Sequence, residues 1–90
     1  MSLTLIDFYA DWCGPCQVMK PVFAELEPIY KGKIEFKQVD VETDSAQAAQ
    51  FGIMSIPTFV VLKDGKEVDR RLGAMPKDTL KSWLDSHANN

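Results

Sequence analysis

The spacing of hydrophobic and polar positions changes period several times along this chain, and each change marks a new element. The run Leu3-Thr4-Leu5-Ile6-Asp7-Phe8-Tyr9 is too continuously apolar for a strand with one wet face. It predicts a central strand buried on both sides, with Asp7 as the anomaly in it. From Pro15 to about Tyr30, apolar residues return every three or four positions, at Val18, Met19, Val22, Phe23, Leu26 and Ile29 or Tyr30. That is the stripe of an amphipathic helix. Pro21 lies inside it and is expected to kink it. Lys31-Gly32-Lys33 supplies the basic residues and glycine that end a helix. Ile34 to Val41 then predicts a second strand, with Ile34, Phe36 and Gln38 on one face.

Thr43 or Asp44 can cap a short helix running through Phe51 and closed by Gly52. Pro57–Lys63 and Glu67–Leu72 read as third and fourth strands, joined through Asp64-Gly65, a strong hairpin signal that makes them antiparallel neighbours. A last helix is expected from about Pro76 to His87, with Leu80, Trp83 and Leu84 as its buried stripe. The order β-α-β-α-β-β-α contains a strand–helix–strand crossover, which leaves helices for both faces of a four-stranded sheet, and the fold class is α/β.

Ninety residues make one domain, 1–90, with room for one active site. At 46% hydrophobic and 26% charged, the composition is that of an ordinary globular chain without repeats or linkers. A net charge of −3 with scattered Lys and Arg argues against a nucleic-acid surface, and Arg70-Arg71 reads as a solvated strand edge. No apolar stretch approaches the roughly 20 residues of a membrane span, and no signal-peptide pattern opens the chain. A cytoplasmic location is therefore expected, in keeping with the absence of cysteines beyond a single pair.

That pair lies in Trp12-Cys13-Gly14-Pro15-Cys16, between the first strand and the first helix. Two thiols three positions apart at a helix start can close a disulfide and reopen it, because the helix end favours a thiolate at the first. Cys13 is thus the candidate nucleophile. Cys16, one turn inward, is the candidate resolving thiol. Pro15 presets the helical turn without a wasted donor, so Gly14 and Pro15 shape the surroundings of both cysteines. Asp7, if buried, has a raised pKa suited to proton exchange with Cys16 through water. Pro57 would interrupt a central strand unless it begins one. His87 lies at the end of the last helix, where a cation favours the dipole. No glycine-rich dinucleotide motif and no second Cys/His cluster for a metal is present, so no bound cofactor is expected and electrons must come from a partner.

Asp7-Phe8-Tyr9-Ala10-Asp11-Trp12-Cys13-Gly14-Pro15-Cys16, Pro21, Lys37, Ser55-Ile56-Pro57-Thr58 and Leu72-Gly73-Ala74 together resemble the thioredoxin family over essentially the whole chain. The resemblance implies a thioredoxin-like fold. Members usually begin with an additional strand and helix, whereas only six residues precede Asp7 here. The expected architecture is therefore a minimal four-stranded mixed sheet, order 2-1-3-4, with three helices, similar in outline to glutaredoxins. The second strand becomes an edge, along which Lys33, Glu35 and Lys37 alternate in the way that discourages stray pairing. Met75 stands where the family commonly has a capping Ser, so Met75→Ser is expected to stabilise the last helix.

By the same resemblance, Asp7 is the proton-exchange carboxylate and Lys37 the lysine near it, although Lys37 reads equally well as an edge-strand charge. Ile56-Pro57 is similar to the family's cis-proline step facing the cysteines, which leaves the preceding backbone free to pair with an extended substrate. Trp12, Ile56, Gly73 and Ala74 complete a shallow docking surface. The expected activity is protein-disulfide oxidoreduction, mainly as a reductant, on disulfide-containing proteins. The expected electron donor is similar to thioredoxin reductase, drawing on NADPH, and the expected state is a monomer. Alternatives are a disulfide oxidase or isomerase, a glutaredoxin-like carrier, and a non-enzymatic binding module or metal-sharing dimer.

Overall fold

The computed structural model describes residues 2–89. Its elements are β1 (Leu3–Tyr9), α1 (Gly14–Leu26), β2 (Ile34–Asp40), α2 (Ser45–Gln50), β3 (Thr58–Lys63), β4 (Lys66–Leu72) and α3 (Lys77–Ala88). They form one four-stranded sheet in the order β2-β1-β3-β4. β1 pairs parallel with β2 and antiparallel with β3, and β3 pairs antiparallel with β4. β1 is buried from Leu5 to Phe8, as a strand flanked on both edges and covered on both faces must be. Asp64 and Gly65 both adopt positive φ, 52° and 84°, the twist a tight hairpin turn requires.

Alternation along β1 divides the core. Leu5 lies with Met19, Phe23, Leu26, Phe59, Leu80 and Leu84 beneath α1 and α3. Ile6 and Phe8 lie with Val39, Ala48 and Val60 on the α2 side. Asp7 follows Leu5 on the α1 face, and that parity delivers a carboxylate beneath the cysteine-bearing helix.

Several local expectations change. The helix expected to run to about Tyr30 ends at Leu26, with Pro21 inside it, and gives way to a 3₁₀ turn over Glu27–Tyr30 that contains Pro28. Cys16, Met19, Phe23 and Leu26 set the inner face of α1, which turns Val18 outward at 63% exposure. Tyr30, not Ile29, completes the stripe, its hydroxyl donating to Asp85 at 2.6 Å. The N-cap of α3 is Pro76, and Met75 lies one residue before it, packed against the core with its N–H donating to Met19 Sδ at 3.4 Å. A serine at position 75 is therefore not placed to cap the helix, and the expected gain from Met75→Ser is withdrawn. Arg70 is no free surface charge either: it grips Glu67 at 2.6 and 2.7 Å and donates to the Phe51 carbonyl at 2.8 Å. Among the described residues, no helix is long and apolar enough to cross a membrane.

Candidate active site

The site forms where β1 ends and α1 begins. Cys13 is the N-cap of α1, with extended backbone (φ −84°, ψ 114°), and its Sγ accepts the Cys16 N–H at 3.2 Å. Pro15 occupies the first turn, where a missing N–H costs nothing, and no acidic residue stands in that turn. The positive end of the helix therefore faces the sulfur without a competing anion. Cys13 and Cys16 are joined by a disulfide, their Cα atoms 5.2 Å apart.

The two sulfurs meet different surroundings, although each residue is only 5% exposed. Cys13 Sγ lies 3.8 Å from the carbonyl oxygen of Ile56, and the Ile56–Pro57 peptide bond is cis. Gly73, at φ 88°, donates its N–H to the Pro57 carbonyl at 2.8 Å, drawing the Gly73-Ala74 loop against the same segment. Trp12 is 69% exposed, and its indole N–H donates to Glu42 at 2.8 Å. Trp12, Ile56, Gly73 and Ala74 thus belong to segments that converge near Cys13. Met54, 97% exposed two residues before Ile56, adds an apolar side chain to the same loop.

Cys16 instead lines a polar cavity of about 70 Å³ with Asp7, Tyr9, Asp11, Gln17, Lys20 and Gln38. That is room for water, which needs about 10–15 Å³. Asp7 is 2% exposed, and its Oδ1 has no hydrogen-bond partner among the described residues. Burial lifts its pKa from 3.8 to about 6, and the nearby Gln38 side chain offsets part of that rise. Tyr9 is also held above its ordinary value, by burial first and then by Asp40, Asp11 and Asp7.

Lys37 does not stand beside Asp7. The register pairs Asp7 with Gln38 and Ile6 with Lys37, so Lys37 projects from the opposite face of the sheet. There it lies 3.9 Å from Glu35, as an edge-strand charge. Gln38 had drawn notice only as a position on one face of its strand, and its place across from Asp7 needed the exact register. Lys20, four residues after Cys16 and so on the same side of the helix, is signalled by helical periodicity alone. Glu42 gave no signal at all, because its contact with Trp12 spans thirty positions. His87, at the end of α3, is far from this chemistry in role: it pairs with Asp69 at 3.0 Å beside Trp83, whose indole N–H donates to Asp69 at 2.7 Å. Among the described residues, no group of three or more His, Cys, Asp and Glu is arranged to hold a metal ion.

A model of the thioredoxin family matches residues 1–86 of the chain. A thioredoxin of Staphylococcus aureus strain Mu50 is 46% identical over 86 residues, covering 96% of this chain and 83% of the relative. A thioredoxin of Staphylococcus haemolyticus is 47% identical over the same length and coverage.

Proposed function

The chain belongs to the thioredoxin family and is a thiol–disulfide oxidoreductase, and from that premise we propose that it works chiefly as a protein-disulfide reductant, folded as one domain over residues 1–90 in the cytoplasm. The observation that carries the reading is the Cys13–Cys16 disulfide at the start of α1, with Cys13 Sγ on the Ile56 side and Cys16 on the Asp7 cavity.

In the reduced protein, the Cys13 thiolate attacks one sulfur of a substrate disulfide, and the other substrate sulfur leaves as a thiolate. A mixed disulfide now joins Cys13 to the substrate. The Cys16 thiol gives its proton through cavity water to Asp7 and attacks Cys13 Sγ. The second substrate sulfur leaves as a thiolate, and the Cys13–Cys16 disulfide remains. The two electrons gained by the substrate come from the two thiols. Trp12, Ile56, Gly73 and Ala74 hold the substrate, whose extended backbone pairs with the segment before Pro57. Gly14 and Pro15 set the helical turn between the thiols. A reductase similar to thioredoxin reductase, drawing on NADPH, restores the dithiol.

The direction of electron flow depends on potential, which is measured by equilibrating the Cys13/Cys16 couple in thiol buffers, with alkylation and intact mass as readout. A midpoint near the roughly −270 mV typical of thioredoxins is expected. One near about −120 to −180 mV would instead make the protein an oxidase or isomerase.

A further inference from the structure

We infer that Lys20, on α1, is the positioning residue that tunes the buried carboxylate of Asp7, the place Lys37 leaves empty. The inference rests on Asp7 being the proton partner of Cys16. The cavity between Cys16 and Asp7 is lined on its β2 side by a neutral amide, Gln38, and on its β1 side by Tyr9 and the following Asp11. From α1 it is lined by Cys16, Gln17 and Lys20, so Lys20 is the one cationic side chain among its lining residues. From β3, the residue paired with Asp7 is Phe59, which is apolar.

Helix geometry explains why Lys20 can serve. Residues at i and i+4 share a face of a helix, so Cys16 and Lys20 stand on the same side of α1, and both line the cavity. Gln17, which lines the same cavity, is committed to the Asp11 carbonyl, to which its side-chain N–H donates at 2.7 Å. Lys20 is otherwise exposed and forms none of the ion pairs found among the described residues.

The charge balance around the cavity gives the lysine its role. When Asp7 ionises it joins Asp11 and Asp40, which already act together on Tyr9. Like charges oppose that ionisation and an ammonium at the cavity mouth favours it, in a medium of lower dielectric than water. Lys20 touches no reacting atom. It acts through Asp7, by setting the pH at which the carboxylate becomes a base for Cys16 and by stabilising the anion that remains after it has passed its proton to solvent.

The test follows the Asp7 carboxyl carbon by NMR through a pH titration of the oxidised protein, in which neither cysteine titrates. Lys20→Met should lower the acid dissociation constant of Asp7 about threefold or more, Lys20→Glu should lower it further, and Lys20→Arg should restore the parent value. The difference between parent and Lys20→Met should shrink in high salt. An acid constant that is unchanged or raised in both Lys20→Met and Lys20→Glu overturns the inference. In the reduced protein, the pH profile of the Cys16 step should move by the same amount. Because the oxidised titration needs no turnover, a failure of the reductant reading leaves this result intact, and the converse holds as well.

Discussion

Cys13 and Cys16 are equally buried, yet one faces backbone and apolar surface and the other faces a polar cavity with a carboxylate behind it. The contrast separates two tasks that a Cys-x-x-Cys spacing alone leaves shared. Cys13 has the helix end, the Cys16 N–H and the Ile56 carbonyl, which suit a sulfur that holds charge and receives a substrate strand. Cys16 has no such support, and what stands behind it is Asp7, a base kept near neutrality by its burial. Division of labour between the thiols therefore comes from their order at the helix start together with the strand and loop behind each.

The most severe way to break this contrast is to remove either sulfur. Cys13→Ser should abolish disulfide reduction, whereas Cys16→Ser should still attack and then stall as a stable mixed disulfide, visible by intact mass with a disulfide substrate. Trapping by Cys13→Ser in place of Cys16→Ser would reverse the assignment.

Asp7→Asn comes next. A folded-state pKa of about 6 against 3.8 means that the native state binds the proton more tightly than the unfolded chain. Stability associated with Asp7 is thus complete below the unfolded value, declines between 3.8 and about 6, and stays reduced above that. Neutralising the carboxyl should stabilise the protein at pH 7 by up to about 3 kcal/mol and leave it nearly unchanged at about pH 3, as read by denaturant unfolding at both pH values. The same substitution should slow the Cys16 step by about 100-fold. A stabilised protein with undiminished activity would confine Asp7 to a structural burden.

Met75→Ser is expected to destabilise by about 1–2 kcal/mol, because it deletes apolar packing and adds no cap. A raised melting temperature would instead favour capping from position 75. The smallest effect belongs to Lys37→Ala, which should move stability by less than about 0.5 kcal/mol. It should also leave the titration of Asp7 in place. A shifted Asp7 midpoint would bring Lys37 back to the cavity side.

The elements were largely legible because their causes are local. The apolar run of β1 began and ended where predicted, and the Asp64-Gly65 hairpin and the Cys13 cap likewise depend on residues within a few positions of one another. Asp7 was legible for a related reason: a lone carboxyl in an apolar strand must go somewhere dry. What failed was of another kind. Val18 fits the helical period as well as its neighbours do, and only the packing of α1 on the sheet turns it outward. Position 75 matches the place where the family commonly has a capping Ser, whereas here the N-cap is Pro76 and the methionine is held by Met19.

By itself, then, the sequence determined the order of the elements, the hairpin, the helix end at Cys13 and the chemistry of the pair, all of which follow from neighbouring residues and their periodicity. Tertiary structure alone decided that Gln38 and not Lys37 lies across from Asp7, that Glu42 steadies Trp12, and that Lys20 lines the cavity. The reason is the twofold alternation of a strand: a difference of one residue in register moves a side chain to the other face of the sheet, and register is set by packing across the whole sheet.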